Sequence, residues 1–438
     1  MGSRWPSGWQ NSRITKRNFS SGLLSTDPAG NKKGRLSMGA RTPTEKPPAR
    51  LIEQFRAVFR EDPEFLVRAP GRVDLIGTHT DYNEGWVLPA AITRYAWLAV
   101  RELPTALITL HALDMDEQVA FRLTDLEDRK ALNGQPLPRW AQYAAGVAWS
   151  LQEAGLATPG SQIMITSDVP VGAGLSSSAA VEVAYATAWA HIVGWKVDRM
   201  KLAQLCQRAE NEYVGVNSGL MDQFTSLHGK PGHALLFDCR TLEWEALPLP
   251  EDISLVVADT GTRRQLTDSL YNQRRAECEQ AVQALREYLP DISALRDVTV
   301  EQFTAYRDRL EEPIRQRAEH IIHENARVLA AAEALKRGDV ITLGHLLDES
   351  HLSARDLFEA SGPELDAMWE ASQGHPARLG GRFIGAGWAG CLVFLAKAGA
   401  AEDFAAYTAR RYEERTGISP SMSHMRTAGG AEVLEDWA

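Results

Sequence analysis

Three stretches of this 438-residue chain concentrate side chains that could do chemistry. The first is Gly71-Arg72-Val73-Asp74-Leu75-Ile76-Gly77-Thr78-His79-Thr80-Asp81-Tyr82-Asn83, which gathers one Arg, one His, two Asp and an Asn in a turn-rich segment. Leu75 and Ile76 should tuck this segment against a core and aim its polar groups inward, where Asp and His can accept from and donate to sugar-like hydroxyls. The plainer alternative is a solvated loop. The second stretch is Glu210-Asn211-Glu212-Tyr213-Val214-Gly215-Val216-Asn217-Ser218-Gly219-Leu220-Met221-Asp222-Gln223-Phe224. Gly215 and Gly219 bracket a tight turn, and Asp222 follows the apolar pair Leu220-Met221, so partial burial and a need for partners are expected. Without a ligand, Asp222 would be a helix N-cap and Glu210 a solvated helix position.

The third stretch, Pro170-Val171-Gly172-Ala173-Gly174-Leu175-Ser176-Ser177-Ser178-Ala179-Ala180, lies between the β-like run Gln162–Ser167 and a helical pattern from Ser177 to about Val193. Glycines let backbone N–H groups approach an anion, and a new helix adds unpaired donors and the positive end of its dipole. A phosphate is the expected occupant, against the alternative of a plain turn into an Ala/Ser helix. No P-loop lysine is present and no GxGxxG stands in a Rossmann context. Serine hydroxyls and a metal ion would have to supply what that lysine supplies.

The elements around these stretches read as α+β. Leu51, Ile52, Phe55, Val58 and Phe59 have helical spacing, and Phe65–Ala69 reads as a strand ended by Pro70-Gly71. Beyond a loop over 71–85, strands are expected at Trp86–Leu88, Ile92–Arg101, Ala106–Leu110 and Gln118–Phe121, then a helix through Trp140, Tyr143 and Leu151. Asp198 is a plausible N-cap for a helix running to about Tyr213. A second region begins near Gly232, with strands at Ala234–Phe237 and Leu255–Ala258 and helices over Leu266–Leu289, Ile314–Leu335 and Gly338–Glu349. A second glycine-rich loop, Leu379–Gly390, leads into a strand from Cys391 to Ala396. The helical pair His320 and His323 does not match H-E-x-x-H and reads as a solvated face, as does the charge run Arg307–Arg317.

Composition bounds the rest. The chain is 44% hydrophobic and 24% charged, which is ordinary for a globular protein long enough for two or three domains. No apolar run approaches the roughly 20 residues of a bilayer span. A net charge of −10 gives the body no electrostatic reason to seek nucleic acid. Cys206, Cys239, Cys278 and Cys391 lie far apart without metal-like spacing, so reduced thiols and a cytoplasmic setting are expected. Residues 1–50 are rich in Ser, Gly, Pro, Lys and Arg and hold only Asp27 and Glu45 as acids; they are expected to be a disordered basic tail. An organelle transit peptide and a true start at Met38 also fit.

The three chemical stretches, in this order, resemble the signature motifs of the GHMP sugar and isoprenoid kinases, and within that family most nearly those of the galactokinases. GRVDLIGTHTDYN is similar to the galactokinase signature, PVGAGLSSSAA to the family's phosphate loop, and GVNSGLMDQF to its catalytic-aspartate segment. Thr260–Cys278, Glu349-Ser350-His351, Pro363–Asp366 and the loop Gly380–Gly390 match later segments, so the resemblance covers about 65 to 396. It implies a two-lobed α+β GHMP kinase fold, a ribosomal-protein-like N-terminal lobe over 51–230 and a ferredoxin-like C-terminal lobe over 231–438, with the active site between them. It implies transfer of the ATP γ-phosphoryl group to a sugar's anomeric hydroxyl, with D-galactose as the expected sugar. Carried over, Asp222 would be the general base, and Arg72 would steady the developing alkoxide or hold Asp222 ionised. Thr78, His79, Asp81, Gly219 and Tyr271 would contact the sugar, and Gly172, Ala173, Gly174, Leu175, Ser176, Ser177 and Ser178 the ATP. Ser178 and Glu210 would hold Mg²⁺, hard oxygen ligands for a phosphate-bound cation. No nucleic acid or membrane partner is implied, and a monomer is expected.

Two departures bear on specificity. Galactokinases usually carry Asn where this chain has Asp74 and an acid, in contact with the hydroxyl on the sugar's C6, where it has Thr78. Losing a hydrogen bond from a charged group costs about 1.5–3 kcal/mol, roughly 10- to 150-fold in affinity. Thr78 could reach that hydroxyl directly or through water. Loss of the carboxylate would also suit D-galacturonate, and matters little for L-arabinose, so these and N-acetylgalactosamine stand as alternative sugars, and a silent sugar sensor as an alternative role. Ala386 and Ala389 replace glycines in the last loop and Trp388 adds bulk; if those positions need φ > 0, an alanine costs about 1 kcal/mol.

Overall fold

The computed structural model describes residues 46–263 and 267–437. The expected tail over residues 1–50 lies outside them except at its end, where Ala49 and Arg50 already belong to a helix. In chain order the elements are α1 (Ala49–Phe59), β1 (Phe65–Ile76), β2 (Trp86–Leu103), β3 (Leu107–Ala112), β4 (Glu117–Arg122), α2 (Arg139–Glu153), β5 (Gly160–Ser167), α3 (Ser177–Val193), α4 (Arg199–Arg208), α5 (Met221–His228), β6 (His233–Asp238), β7 (Trp244–Pro248) and β8 (Ile253–Asp259). There follow α6 (Thr267–Leu285), α7 (Val300–Tyr306), α8 (Ile314–Lys336), α9 (Val340–Asp356), α10 (Pro363–Ala371), β9 (Arg378–Phe383), β10 (Cys391–Lys397), α11 (Ala401–Thr416), β11 (Ser421–Met425) and β12 (Glu432–Leu434).

The strands form two sheets. One runs β12-β1-β2-β5-β3-β4 with β6 and β7 continuing from β2; the other runs β11-β8-β10-β9. The sheets do not divide at residue 230: β6, β7 and the C-terminal β12 all join the first, because each pairs with a strand already there. Val73, Leu75, Ile76 and Leu88 of the first sheet share one buried cluster with Leu255, Val257, Val393 and Leu395 of the second, so no linker separates two independent cores.

β1 does not stop at Pro70-Gly71, as the turn residues suggested. It bulges there and resumes pairing with β2 from Arg72. The Arg72 N–H turns away and donates to Leu175 O at 3.1 Å, in the glycine-rich stretch before α3. A Cβ on Gly71 would stand 2.6 Å from that same carbonyl, so only glycine lets the two segments meet. Arg72 and Asp74 are therefore strand residues, not loop residues, and the turn begins at Gly77 (φ +114).

α3 is predominantly apolar, and Ala179, Ala180, Val183, Tyr185 and Trp189 are all buried, so it is the central helix of the first core. It packs on β1 and β2, which fixes its N-terminus above the β1 bulge. Asp198 caps α4 through Met200 N at 2.7 Å, and the chain then widens into a π-helical turn over Ala209–Val214, where Glu210 is buried.

Two expectations fail against burial and a third against the extent of a strand. His320 is fully buried on α8, with Nε2–H donating to Thr78 O (3.3 Å) and Nδ1 meeting Ser353 Oγ (2.9 Å). Arg317, in the expected solvent-facing run, is buried and donates to Glu277 Oε2 (2.9 Å) and Leu357 O (2.6 Å). Leu379–Phe383 belongs to β9, so the last glycine loop opens at Ile384. In that loop Ala386 and Ala389 are not in the left-handed region; Gly385, Gly387, Gly390 and, unexpectedly, Trp388 (φ +60) are. The Trp388 backbone is held by its N–H to Ala360 O (2.7 Å) and its ring by Nε1–H to Glu359 O (2.9 Å).

Candidate active site

Two adjoining cavities meet above the β1 bulge. One is lined by Asp74, His79, Asp81, Glu210, Ser218 and Tyr271; the other by Arg139, Tyr143 and the glycine-rich stretch Pro170–Ser178. Arg72, Ser178, Asp222, Gly385 and Ala386 line both, and so form the wall between them.

At that wall Arg72 grips Asp222 with two parallel bonds, Nε to Oδ1 and Nη2 to Oδ2, both 2.8 Å. Its third arm, Nη1, donates to Gly174 O at 2.5 Å. Ser176 Oγ adds a bond to Asp222 Oδ2 at 2.5 Å. A carboxylate has about four acceptor sites, and three are taken, which leaves one for a hydroxyl from the cavity. Asp222 sits in the first turn of α5 and does not cap it; Leu220 occupies the cap position.

The glycine-rich stretch turns on Gly172 (φ +68), Gly174 (φ +81) and Ser176 (φ +63). Ser176 stands at the N-cap of α3 without a side-chain bond to the helix, so the first N–H groups of α3 have no side-chain cap among the described residues. Gly174 packs on Gly385, and a Cβ at 174 would be 2.6 Å from Ile384 O. Cys391 N donates to Ala173 O at 3.1 Å, so the last glycine loop carries the first. Ala173 and Leu175 are buried beneath it, and Ser177 and Ser178 face the second cavity.

On the first cavity's floor, His79 (φ +62) has both nitrogens occupied. Carbonyls only accept, so Nε2–H donates to Ala386 O (3.1 Å) and Nδ1 accepts from Tyr82 Oη (2.9 Å). Burial drives its pKa down to about 3, and the ring is neutral. Asp81 Oδ1 accepts from Tyr82 N (2.9 Å), and burial, with the charge of Asp222, lifts its carboxyl to about 7. Gly219 packs directly on Asp81, and Tyr271 lines the same cavity. Thr78 is buried and does not line the cavity; its Oγ1 donates to Asp74 Oδ2 at 3.3 Å.

Ser178 and Glu210 line the first cavity together, and Glu210 Oε2 accepts from Ser218 Oγ and from Gln223 Nε2 (2.9 Å). Gln223 bridges to a second buried acid, Glu182 Oε2 (3.0 Å), whose Oε1 has no partner among the described residues. Burial raises both carboxyls. Hard oxygens and surplus negative charge beside a phosphate-type loop suit a divalent cation that brings further oxygens from its ligand. No group of three or more His, Cys, Asp or Glu among the described residues could hold a metal unaided.

Sequence reasoning did not single out Arg139, Tyr143, Glu182 or Gln223. Arg139 and Tyr143 stand four apart on α2, one face of one helix, which was the available signal. Glu182 within an otherwise apolar helix was another.

Known proteins match this chain over most of its length. Residues 53–102 match the galactokinase galactose-binding signature, 142–230 the GHMP kinases N terminal domain and 331–414 the GHMP kinases C terminal domain. A galactokinase of Roseiflexus sp. is 41% identical over 386 residues, covering 88% of this chain and 97% of that protein. One from Thermotoga maritima is 38% identical over 369 residues, covering 84% and 99%. The crystal structure of Lactococcus lactis galactokinase complexed with galactose superposes with a TM-score of 0.83 at 33% identity, over 87% of this chain and 98% of that one. The mevalonate kinase of Methanococcus jannaschii shares the fold at a TM-score of 0.58 and 16% identity.

Proposed function

The chain belongs to the galactokinase family of the GHMP kinases, and from that premise we propose that it transfers the γ-phosphoryl group of ATP to the anomeric hydroxyl of D-galactose at the junction of the two cavities. The observation that carries the reading is Asp222: it lies on the shared wall, fixed by Arg72 and Ser176, with one acceptor site open. The sugar occupies the cavity of Asp74, His79 and Asp81, and the ATP phosphates lie against the α3 N-terminus.

Asp222 orients the anomeric hydroxyl and receives its proton as the O–P bond forms. Arg72 offsets the negative charge on the attacking oxygen and keeps the Asp222 carboxyl plane in place. Phosphoryl transfer depends chiefly on such positioning and charge compensation. Ser178 and Glu210 would hold Mg²⁺, which neutralises phosphate charge when bound. Asp81, fixed against Gly219, accepts from sugar hydroxyls, while His79 buttresses the floor of the site, its nitrogens being occupied. The test is ADP release with ATP, Mg²⁺ and galactose, run beside L-arabinose, D-galacturonate and N-acetylgalactosamine. Galactose should be preferred, and Asp222→Asn should lower kcat by about 10²- to 10⁴-fold. Near-normal turnover by that variant would sink the mechanism.

A further inference from the structure

The sugar cavity holds one acid that the foregoing reading leaves unused. Asp74 lines it from β1 and is only 1% exposed. Its Oδ2 is held from behind by Thr78 Oγ1 at 3.3 Å and faces Arg382 Nη1 at 3.8 Å. Its Oδ1 is buried with no partner among the described residues. A buried carboxylate oxygen without a donor is costly to keep, and the cavity is the side from which a donor can come.

We infer that Asp74 is a sugar-binding, specificity-determining residue whose Oδ1 accepts a hydrogen bond from the primary hydroxyl on C6 of the sugar. The inference rests on the reading of the chain as a galactokinase. The family pattern places an amide at position 74 and an acid at 78; this chain has the acid at 74 and a threonine at 78. The pair therefore still carries one carboxylate. In the fold the two side chains meet at 3.3 Å, so exchanging the acid between them moves the carboxylate by no more than a neighbouring side chain. Thr78, whose hydroxyl points its proton at Asp74, is the support and not the contact. Burial pushes the Asp74 carboxyl above the usual carboxylate range, and Arg382, fully buried on β9, offsets part of that push. In its ionised form a carboxyl at this place repels an acid at C6, which counts against D-galacturonate.

The test pairs Asp74→Asn and Thr78→Val with D-galactose and 6-deoxy-D-galactose, using steady-state kinetics at saturating ATP and calorimetric titration of each sugar. The native chain should favour galactose over the 6-deoxy sugar by roughly 10- to 150-fold. Asp74→Asn should remove most of that preference by weakening galactose alone, with KM for ATP unchanged as evidence of an intact fold. Thr78→Val should retain the greater part of it. An equal loss for both sugars in Asp74→Asn would make the residue structural and overturn the inference, as would unchanged galactose binding or loss of discrimination in Thr78→Val alone. Calorimetry separates the two readings: a chain that binds galactose through Asp74 but does not phosphorylate it refutes the kinase reading and not the contact, and one that binds neither sugar refutes both.

Discussion

Gly219→Ala is a one-methyl test of how the sugar site is built. A Cβ at 219 would lie 1.9 Å from Asp81 Oδ2 and 2.2 Å from its Cγ, where ordinary contact begins at 3.4 Å. The Asp81 carboxyl must therefore retreat by roughly 1.5 Å, far enough to break a hydrogen bond. Gly219 is not in the left-handed region, so the substitution carries no backbone strain. The methyl also removes unfolded-chain entropy worth about 0.4–1 kcal/mol, which offsets part of any local repacking. The damage should fall on the sugar. One lost bond to a charged acceptor is about 1.5–3 kcal/mol, or 10- to 150-fold. The contact exists in the bound sugar as well as in the transition state, so the loss belongs in KM for galactose, with kcat changed little.

The assay is KM and kcat for galactose and for ATP, with Tm alongside. The expected result is a galactose KM raised at least tenfold, an ATP KM near that of the native chain and a Tm within a few degrees. A galactose KM within twofold of native at unchanged Tm would refute the placement of Asp81 on the sugar.

Asp81 also sets an expected pH dependence. Its carboxyl, lifted by burial to about 7, loses acceptor capacity when protonated, so kcat/KM for galactose should fall below about pH 7 by up to tenfold per unit. His79, at about 3, adds nothing in that range, and Asp81→Asn should lack the limb. The sign for stability is opposite: a raised pKa favours the folded state fully below the ordinary 3.8 and ceases to do so as pH climbs through 7, so Asp81→Asn should flatten a fall in Tm between pH 5 and 8. Arg317→Ala leaves buried Glu277 with Arg274 and the neutral Gln273 amide and frees Leu357 O, an expected loss of about 3 kcal/mol, read as a Tm several degrees lower at unchanged kcat. A Tm within one degree would return Arg317 to the surface.

What the sequence disclosed follows from how local each signal is. The limits of α3 at Ser177 and Val193 were legible because the glycine stretch, the serine start and the Gly194 stop all lie in the segment itself. The grouping of Arg72, Asp222 and Ser178 was legible only through motif order, since 150 residues separate Arg72 from Asp222. β1 was cut short because Pro70-Gly71 normally ends a strand; here the bulge is stabilised from the phosphate loop, a hundred residues away. Strands β7, β9, β11 and β12 were not singled out, being five, six, five and three residues long and set in polar or glycine-rich sequence. Pairing, not propensity, makes them strands.

The buried charges around Glu324 were the least legible feature, and they explain how the sugar loop keeps its shape. Glu324 lies on a helix whose sequence looks solvated, yet it is fully buried. Its Oε1 accepts from the N–H groups of Gly77 (3.0 Å) and Thr78 (3.3 Å), from Ser350 Oγ and from Arg382 Nη1 (3.4 Å), and its Oε2 from Arg327 Nε (2.8 Å). Burial alone would push this carboxyl up; Arg327 and Arg382 bring it down to about 2, so it remains an anion throughout the working range. A buried ionic cluster is a poor source of net stability, and an apolar substitute could pack as well. An apolar side chain could not bond two successive loop N–H groups, nor place a guanidinium within reach of Asp74. The cluster therefore ties α8 and β9 to the start of the loop at Gly77, and so the positions of His79 and Asp81 depend on residues some 250 further along the chain. That is why the loop's composition announced a ligand site while its geometry could be read only from the folded chain.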